Sequence, residues 1–317
     1  HFKKVAHNIK RRFKKKNFKI MEIGCNDGIF LQNFKNLNHL GIEPSKNVCQ
    51  ISKSKNLNVI NSFFDKELIN RRKLKNNFDV IFAANVICHI PNILSLFKNI
   101  EITLKKNGVF IFEEPYLGDM LEKTSYDQIY DEHIFMFSVS SINKIFNLYN
   151  FELINVLPQK THGGSMRYVI ARKNTYKIKE NVIKQLRYES YSGINSFKGC
   201  LRFKKNCEAS KKKLRKKIDM ILKSGKNIAG YAATSKSTTI LNYCGINKNH
   251  IDFICDTTKN KIGKYTPRTH IPIVNMEYYR KNIPDYTFLF AWNHKKEIFK
   301  KEKKFIKKGK WFAHVKI

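Results

Sequence analysis

The sequence predicts an α/β protein: a Rossmann-like, doubly wound parallel sheet followed by a second, smaller α/β domain. Three observations carry this. Short apolar, β-branched runs alternate with stretches of helical period over the first half of the chain. A glycine-bearing junction ends the first of those runs, and a second series of strand-like runs follows a polar stretch that has no proline. Phe2, Val5, Ile9 and Phe13 recur at helical spacing among basic residues, so the chain starts on an amphipathic helix. A strand over 18–24 ends in Gly24 and is followed by the helical pattern FLQNFKNL. Further strands are read at 37–45, 78–87 and 107–115, with helices over 46–56 and 92–105 between them, and MRYVIAR is a later strand with a turn ahead of it. From Asn174 to about Lys223 the chain reads as an exposed connecting helix; strands at 226–233, 250–256, 271–274 and 286–292 then form the second domain. The expected domains are 1–173 (core), 174–224 (connecting helical segment) and 225–317 (C-terminal α/β domain).

The 317 residues exceed the roughly 100 to 200 of a typical single domain, and 42% hydrophobic residues exclude a disordered chain. No run approaches the ~18 apolar residues of a membrane span. The basic N-terminal run HFKKVAHNIKRRFKKK lacks the apolar region of a secretory signal, so a cytoplasmic location with no membrane partner is expected. A net charge of +36 would attract nucleic acid or other polyanions. Lys, Asn, Ile and Phe are abundant from end to end, however, while Gly, Pro and Trp are scarce, as an AT-rich coding sequence imposes on permissive surface positions, and no nucleic-acid partner is expected. The seven cysteines (25, 49, 88, 200, 207, 244 and 255) form no C-x-x-C pair and read as reduced thiols.

One constellation lies at the end of the first strand. Glu22, Gly24, Asn26, Asp27 and Gly28 sit where strand meets helix, and glycine there lets backbone amides approach a ligand. Glu43 follows Glu22 by 21 residues, near the offset at which an acid accepts ribose hydroxyls in such folds. Carboxylates at Glu22 and Asp27 suit an amine-bearing ligand such as S-adenosylmethionine (SAM) better than a pyrophosphate. Phe63 and Phe64, before Asp65, offer a wall for adenine, and Asn85 lies near a strand end facing the same crevice. Singly these are turn residues and a helix-start charge; in order, at strand ends, they describe a nucleoside-binding edge.

A second constellation, Tyr126 to His133, is dense in ionisable groups just past the fourth strand. A histidine with a carboxylate neighbour has its tautomer fixed and its basicity raised, as proton abstraction requires, although an isolated D-E-H is as readily a solvated turn. His89, after another strand end, is placed to converge on the same cleft, or to be a capped loop residue. A metal triad of His89, His133 and Asp131 is disfavoured because adjacent residues rarely serve one ion, so no metal is expected. In the second domain Gly230 to Ser237 nearly spells a phosphate-binding loop, but Ser235 stands at its second glycine. That argues against an NTPase while leaving Lys236 to hold a diphosphate.

EIGCNDG, GIEPS, NVICHIPN, EEPYLGDML, YDQIYDEH, THGGSMR, GYAATSK, DTTKNKIGKYTP and AWN occur in this order along almost the whole chain. Together they resemble the SAM-dependent sugar C-methyltransferases that act on nucleotide-linked 4-keto-deoxysugars. The resemblance implies SAM as cofactor and S-adenosylhomocysteine as product, His133 as base, and Tyr130, Glu132 and His89 as its companions. It implies that a proton is removed beside the C4 ketone and that the enolate carbon takes the methyl. It also implies a substrate-facing loop of His162, Gly163, Gly164, Ser165 and Arg167, with Arg167 making a bidentate phosphate contact. Lys236 and Asn293 are expected to complete the nucleotide-sugar contacts. Such enzymes carry an upstream zinc module, which this chain starts beyond; zinc is expected only if that module precedes it. Rival readings are a SAM-dependent enzyme with an RNA or other small-molecule acceptor, and a basic two-domain scaffold. No NPPY-like tetrad or RNA-binding module supports the RNA acceptor.

Overall fold

The computed structural model describes residues 1–13, 18–303, 306, 307 and 309–316. The chain divides into two compact units, the first formed by 1–116, 134–159 and 165–192, the second by 117–133, 160–164 and 193–317. This differs from the expected boundaries at 173 and 224. The segment that carries Tyr126–His133 was expected within the first domain and groups with the second unit instead.

Among the described residues the first unit holds seven strands: β1 (Lys19–Ile23), β2 (Asn38–Ile42), β3 (Val59–Ile60), β4 (Phe78–Ala84), β5 (Leu104–Pro115), β6 (Phe151–Gln159) and β7 (Ser165–Arg172). They lie in the order β3-β2-β1-β4-β5-β7-β6. The expected doubly wound sheet is present with one strand reversed, because β7 runs antiparallel to both β5 and β6. The reason is local: only five residues separate β6 from β7, and a parallel return needs a crossover of a dozen or more. Successive strand residues point to opposite faces. Met21, Ile81 and Phe110 enter one core with the helix Ile93–Thr103, whereas Ile20, Val80 and Val109 enter the other with Val5, Ala6 and Ile9 of the helix Phe2–Arg12. Two strands of this unit escape the sequence pattern: β3 is only two residues long, and β6 carries Pro158, tolerated because β6 is an edge strand.

The stretch expected as one connecting helix is two helices, Glu180–Ser192 in the first unit and Phe197–Lys223 in the second, and neither is merely exposed. In the first of them Glu189 is fully buried. Its carboxylate accepts from the Val139 and Ser140 amides (2.6 and 2.8 Å), the Ser140 hydroxyl and the Tyr116 hydroxyl (2.8 Å). It thereby satisfies the first turn of the helix Val139–Asn147 with a charge of the sign that a helix N-terminus favours. Glu189→Ala would strand these donors in the interior, and a loss of about 2 kcal/mol is expected in a denaturant melt of the whole chain.

Among the described residues the second unit has five strands: β8 (Ile228–Tyr231), β9 (Ile254–Cys255), β10 (Ile273–Val274), β11 (Tyr286–Leu289) and β12 (Lys310–Phe312). All pair in parallel, in the order β10-β9-β8-β11-β12. The helix Ser235–Cys244 follows β8. The helix Phe197–Lys223 packs on this core through Cys207, Leu214, Ile218 and Ile221, one face at helical spacing, and leaves its lysines outside. Among the described residues no helix is long and apolar enough to cross a membrane.

Candidate active site

In the first unit the loop after β1 bends through left-handed conformations at Gly24 (φ +65°), Asn26 (φ +50°) and Gly28 (φ +78°). A Cβ on Gly24 would run into the Val86 side chain, so only glycine fits both the conformation and the space. The Gly24 amide donates to the Ile42 carbonyl at 2.8 Å, which brings the loop against the end of β2. There Glu43, buried, accepts from the Asn26 amide (3.0 Å) and the Ser45 amide (2.8 Å). Backbone from both sides thus aims this carboxylate, and its remaining lone pairs can accept from hydroxyls.

Glu22 is also buried. It receives a hydrogen bond from the Leu31 backbone, but its Oε2 has no partner. Burial, followed by the like charges of Asp27 and Glu43, pushes its pKa well above the usual carboxylate range. A cation at Oε2 would reverse that. Asn85, in a left-handed conformation (φ +54°) just past β4, likewise has a buried, unpartnered Oδ1. Asp27 is more open and pairs with Lys55 at 3.0 Å. Phe63 is 72% exposed and presents its ring to solvent, whereas Phe64 packs against the core. Asp65, beyond them, caps the helix Lys66–Arg71 by accepting from the Leu68 amide. Glu22, Glu43 and Asn85 Oδ1 offer acceptors, which suits a ligand that brings an ammonium and ribose hydroxyls.

In the second unit a 3-10 turn, Tyr126–Gln128, leads into Tyr130 and His133. His133 Nδ1 lies 2.9 Å from the Gln128 carbonyl oxygen and Nε2 lies 2.7 Å from the Tyr130 hydroxyl. A carbonyl only accepts, so Nδ1 carries the proton and Nε2 is left as the basic nitrogen, facing a phenolic donor. The sequence reading placed a carboxylate in that orienting role. Glu132 and Asp131 are instead exposed, and a backbone carbonyl holds Nδ1. His89 ends the 3-10 turn Ile87–His89 of the first unit, so it and His133 belong to different units. Two amides entering that turn, those of Val86 and Ile87, donate to Glu114 Oε1 (2.9 and 2.7 Å); Glu114 Oε2 is buried without a partner, and burial raises the carboxyl's pKa. Glu114 was not singled out from sequence, although its place in the E-E-P run at the end of β5 was a usable signal.

The substrate-facing loop of the sequence reading is divided. His162, Gly163 and Gly164 belong to the second unit, Ser165 and Arg167 to β7 of the first. Gly163 (φ +88°) and Gly164 (φ +134°) lie against Trp292 and Asp119, where a Cβ would clash. Arg167 is not presented to a phosphate in the expected way: its Nε donates to Glu113 Oε1 at 2.5 Å and Nη2 to Gln159 at 3.1 Å, because the β5–β7 register sets Arg167 opposite Glu113. Lys236, in the first turn of the helix Ser235–Cys244, is largely buried. Its Nζ lies 4.0 Å from Asp127 Oδ2 and 5.6 Å from the centre of the Trp292 ring, with no hydrogen-bond partner, and burial lowers its pKa. Asn293 is half-buried in the turn Trp292–His294.

The second unit repeats the backbone device of the first. Ala232, at φ +76°, donates to the Cys255 carbonyl at 2.8 Å, as Gly24 does to Ile42. Asp256 then accepts from the Ala233 and Thr258 amides (2.8 and 2.7 Å), as Glu43 does from Asn26 and Ser45. Asp256 was quoted from sequence only within a motif, but its place at the end of a strand is the signal that marked Glu43.

Comparisons with known proteins agree on methyl transfer. Residues 1–156 match the model of a methyltransferase domain, and residues 160–315 match that of a C-methyltransferase C-terminal domain. The C-methyltransferase NovU of Streptomyces niveus is 28% identical over 294 residues, 92% of this chain and 70% of that protein. Solved structures resembling part of the chain include the magnesium protoporphyrin IX methyltransferase of Synechocystis PCC 6803 with bound SAM (11% identity, 54% of this chain and 78% of that one, TM-score 0.42). Another is the CurJ carbon methyltransferase (13% identity, 54% and 53%, TM-score 0.43).

Proposed function

Because the chain belongs to the SAM-dependent C-methyltransferases, we propose that it methylates the carbon beside the ketone of a nucleotide-linked 4-keto-deoxysugar. The observation that carries this reading is the Tyr130–His133 pair, whose basic nitrogen is fixed by the Gln128 carbonyl. A carbon acceptor, unlike an oxygen or nitrogen one, has no lone pair to offer and must first lose a proton. A ketone next door makes that loss feasible.

The donor-binding residues are those of the first unit. The unpartnered Glu22 oxygen suits the amino group of SAM, Glu43 the ribose hydroxyls, Asn85 Oδ1 a further donor, and the exposed Phe63 ring the adenine. Gly24, Asn26 and Gly28 shape the loop, with Asp27 at its outer side. When bound, SAM supplies an electrophilic methyl group.

The proton is handled by the second unit. His133 Nε2 accepts it from the carbon, whose electron pair moves onto the carbonyl oxygen as an enolate. For this the phenolic O–H of Tyr130 first swings off Nε2, whose single lone pair takes the proton; Nε2–H then donates to the phenolic oxygen, and the phenolic O–H donates to the enolate oxygen. Glu132, in the same unit, is assigned a supporting role at that step. Lys236, whose Nζ has no hydrogen-bond partner, and His162, Gly163, Gly164, Ser165 and Asn293 are assigned to the sugar nucleotide.

Calorimetric titration with SAM, then with a dTDP-4-keto-deoxysugar, and separately with short RNA at physiological salt, tests the reading. Micromolar SAM binding with a second site for the sugar nucleotide is the expected result. RNA binding without sugar-nucleotide binding would transfer the acceptor to nucleic acid, and no SAM binding would overturn the proposal.

A further inference from the structure

Asp127 is a carboxylate with no exposure to solvent, a placement that costs free energy unless the group is well paired. It accepts from Trp292 Nε1 at 2.8 Å and from His314 Nε2 at 3.1 Å, and Lys236 Nζ stands 4.0 Å away. These donors come from three separate parts of the second unit: the turn after β11, the segment after β12, and the helix after β8. The residue next to Asp127 is Gln128, whose carbonyl fixes the proton on His133 Nδ1. The turn is held at its other points as well, since the Ile129 carbonyl accepts from Thr239 and the Tyr126 hydroxyl meets Cys244.

We infer that Asp127 is a positioning residue for the Tyr130–His133 pair. Trp292 and His314 clamp its carboxylate, the clamp sets the Gln128 carbonyl, and that carbonyl keeps Nδ1 protonated and Nε2 basic. This rests on the proton-transfer role proposed for His133, but its geometry is testable without any substrate. His314 has a second consequence. Its side chain is fully buried and its Nδ1 has no partner, so the imidazole meets Asp127 through Nε2. A histidine placed there for packing alone would not need that bond.

The test uses the full chain labelled with nitrogen-15 histidine, with the His133 signals assigned by their loss in His133→Gln. In the native protein His133 is expected as the Nδ1–H tautomer. Asp127→Asn and His314→Phe should shift it to a mixture of tautomers, while His314→Gln, which keeps an N–H donor, should retain the native form. The SAM dissociation constant, read by calorimetry, should stay within about twofold, because the donor-binding residues lie in the other unit. Once a substrate is in hand, kcat should fall at least tenfold in Asp127→Asn. If Asp127→Asn does not fold, Trp292→Phe, which leaves the carboxylate and its bond to His314, supplies the same readout. An unchanged tautomer in folded variants that only melt earlier would make Asp127 a packing residue and overturn the inference. A shifted tautomer beside normal turnover in His133→Gln would instead sustain the clamp and sink the base assignment.

Discussion

Glu22→Gln should weaken SAM binding by about 100-fold, or roughly 2.7 kcal/mol, and should abolish the pH dependence of what binding remains. The substitution keeps the shape and the capacity to accept from the Leu31 backbone, and removes only the charge. In the free protein, burial and then the neighbouring Asp27 and Glu43 carboxylates raise the pKa of Glu22, so between the ordinary carboxylate range and that raised value it holds a proton. An ammonium at its unpartnered Oε2 favours the carboxylate and lowers the pKa again. Binding therefore releases a proton, and affinity should rise as pH climbs from about 5 towards neutrality, where the amine of the ligand is still charged. The same linkage acts on the empty protein. A raised pKa favours folding in acid, and that contribution is lost as pH rises through the raised value. Calorimetry in two buffers of different ionisation enthalpy counts the released proton directly. Equal affinities for native and variant protein across this range would remove Glu22 from the amino-group role.

How far such a site can be read from sequence depends on which of its determinants are local. Gly24 and Gly28 were legible because a left-handed turn at a strand end leaves few residue choices, and Glu43 because the crossover from β1 to β2 has a narrow range of lengths. The Tyr130–His133 pair was legible as residues but not as a mechanism: it took the fold to show that the Gln128 carbonyl, not a neighbouring carboxylate, chooses the tautomer. The surroundings of Arg167 were illegible for a related reason. Its engagement with Glu113 follows from the register between β5 and β7, and a one-residue slip would undo it without changing any local pattern. The partners of Asp127 lie 165 and 187 positions along the chain, and no spacing rule reaches that far. Nor does hydrophobic periodicity say which of two cores a segment joins. Residues 117–133 follow β5 directly and yet pack with strands that begin a hundred residues later. Strands β3 and β12 were missed because two or three residues carry no period of their own and their pairing partners define them, whereas the equally short β9 and β10 lie in longer apolar runs that mark them.

His133→Gln should lower turnover by about 10²- to 10⁴-fold, the range supplied by a positioned general base, with SAM affinity unchanged within about twofold. Tyr130→Phe should cost about 10²-fold, as expected for one donor to a developing oxyanion, and should not slow proton removal to the same degree as the histidine variant. The two roles separate in an experiment that needs no methyl donor. In deuterium oxide, with a 4-keto sugar nucleotide and no SAM, the native protein should exchange the proton beside the ketone, because enolate formation precedes methyl transfer. His133→Gln should abolish that exchange. Tyr130→Phe leaves Nε2 as a base without its phenolic partner, so it should slow exchange only through the less stable enolate. Exchange that persists at the native rate in His133→Gln would place the base elsewhere. Exchange that disappears equally in both variants would mean that the phenol itself carries the proton between carbon and imidazole, a relay that their 2.7 Å contact also permits.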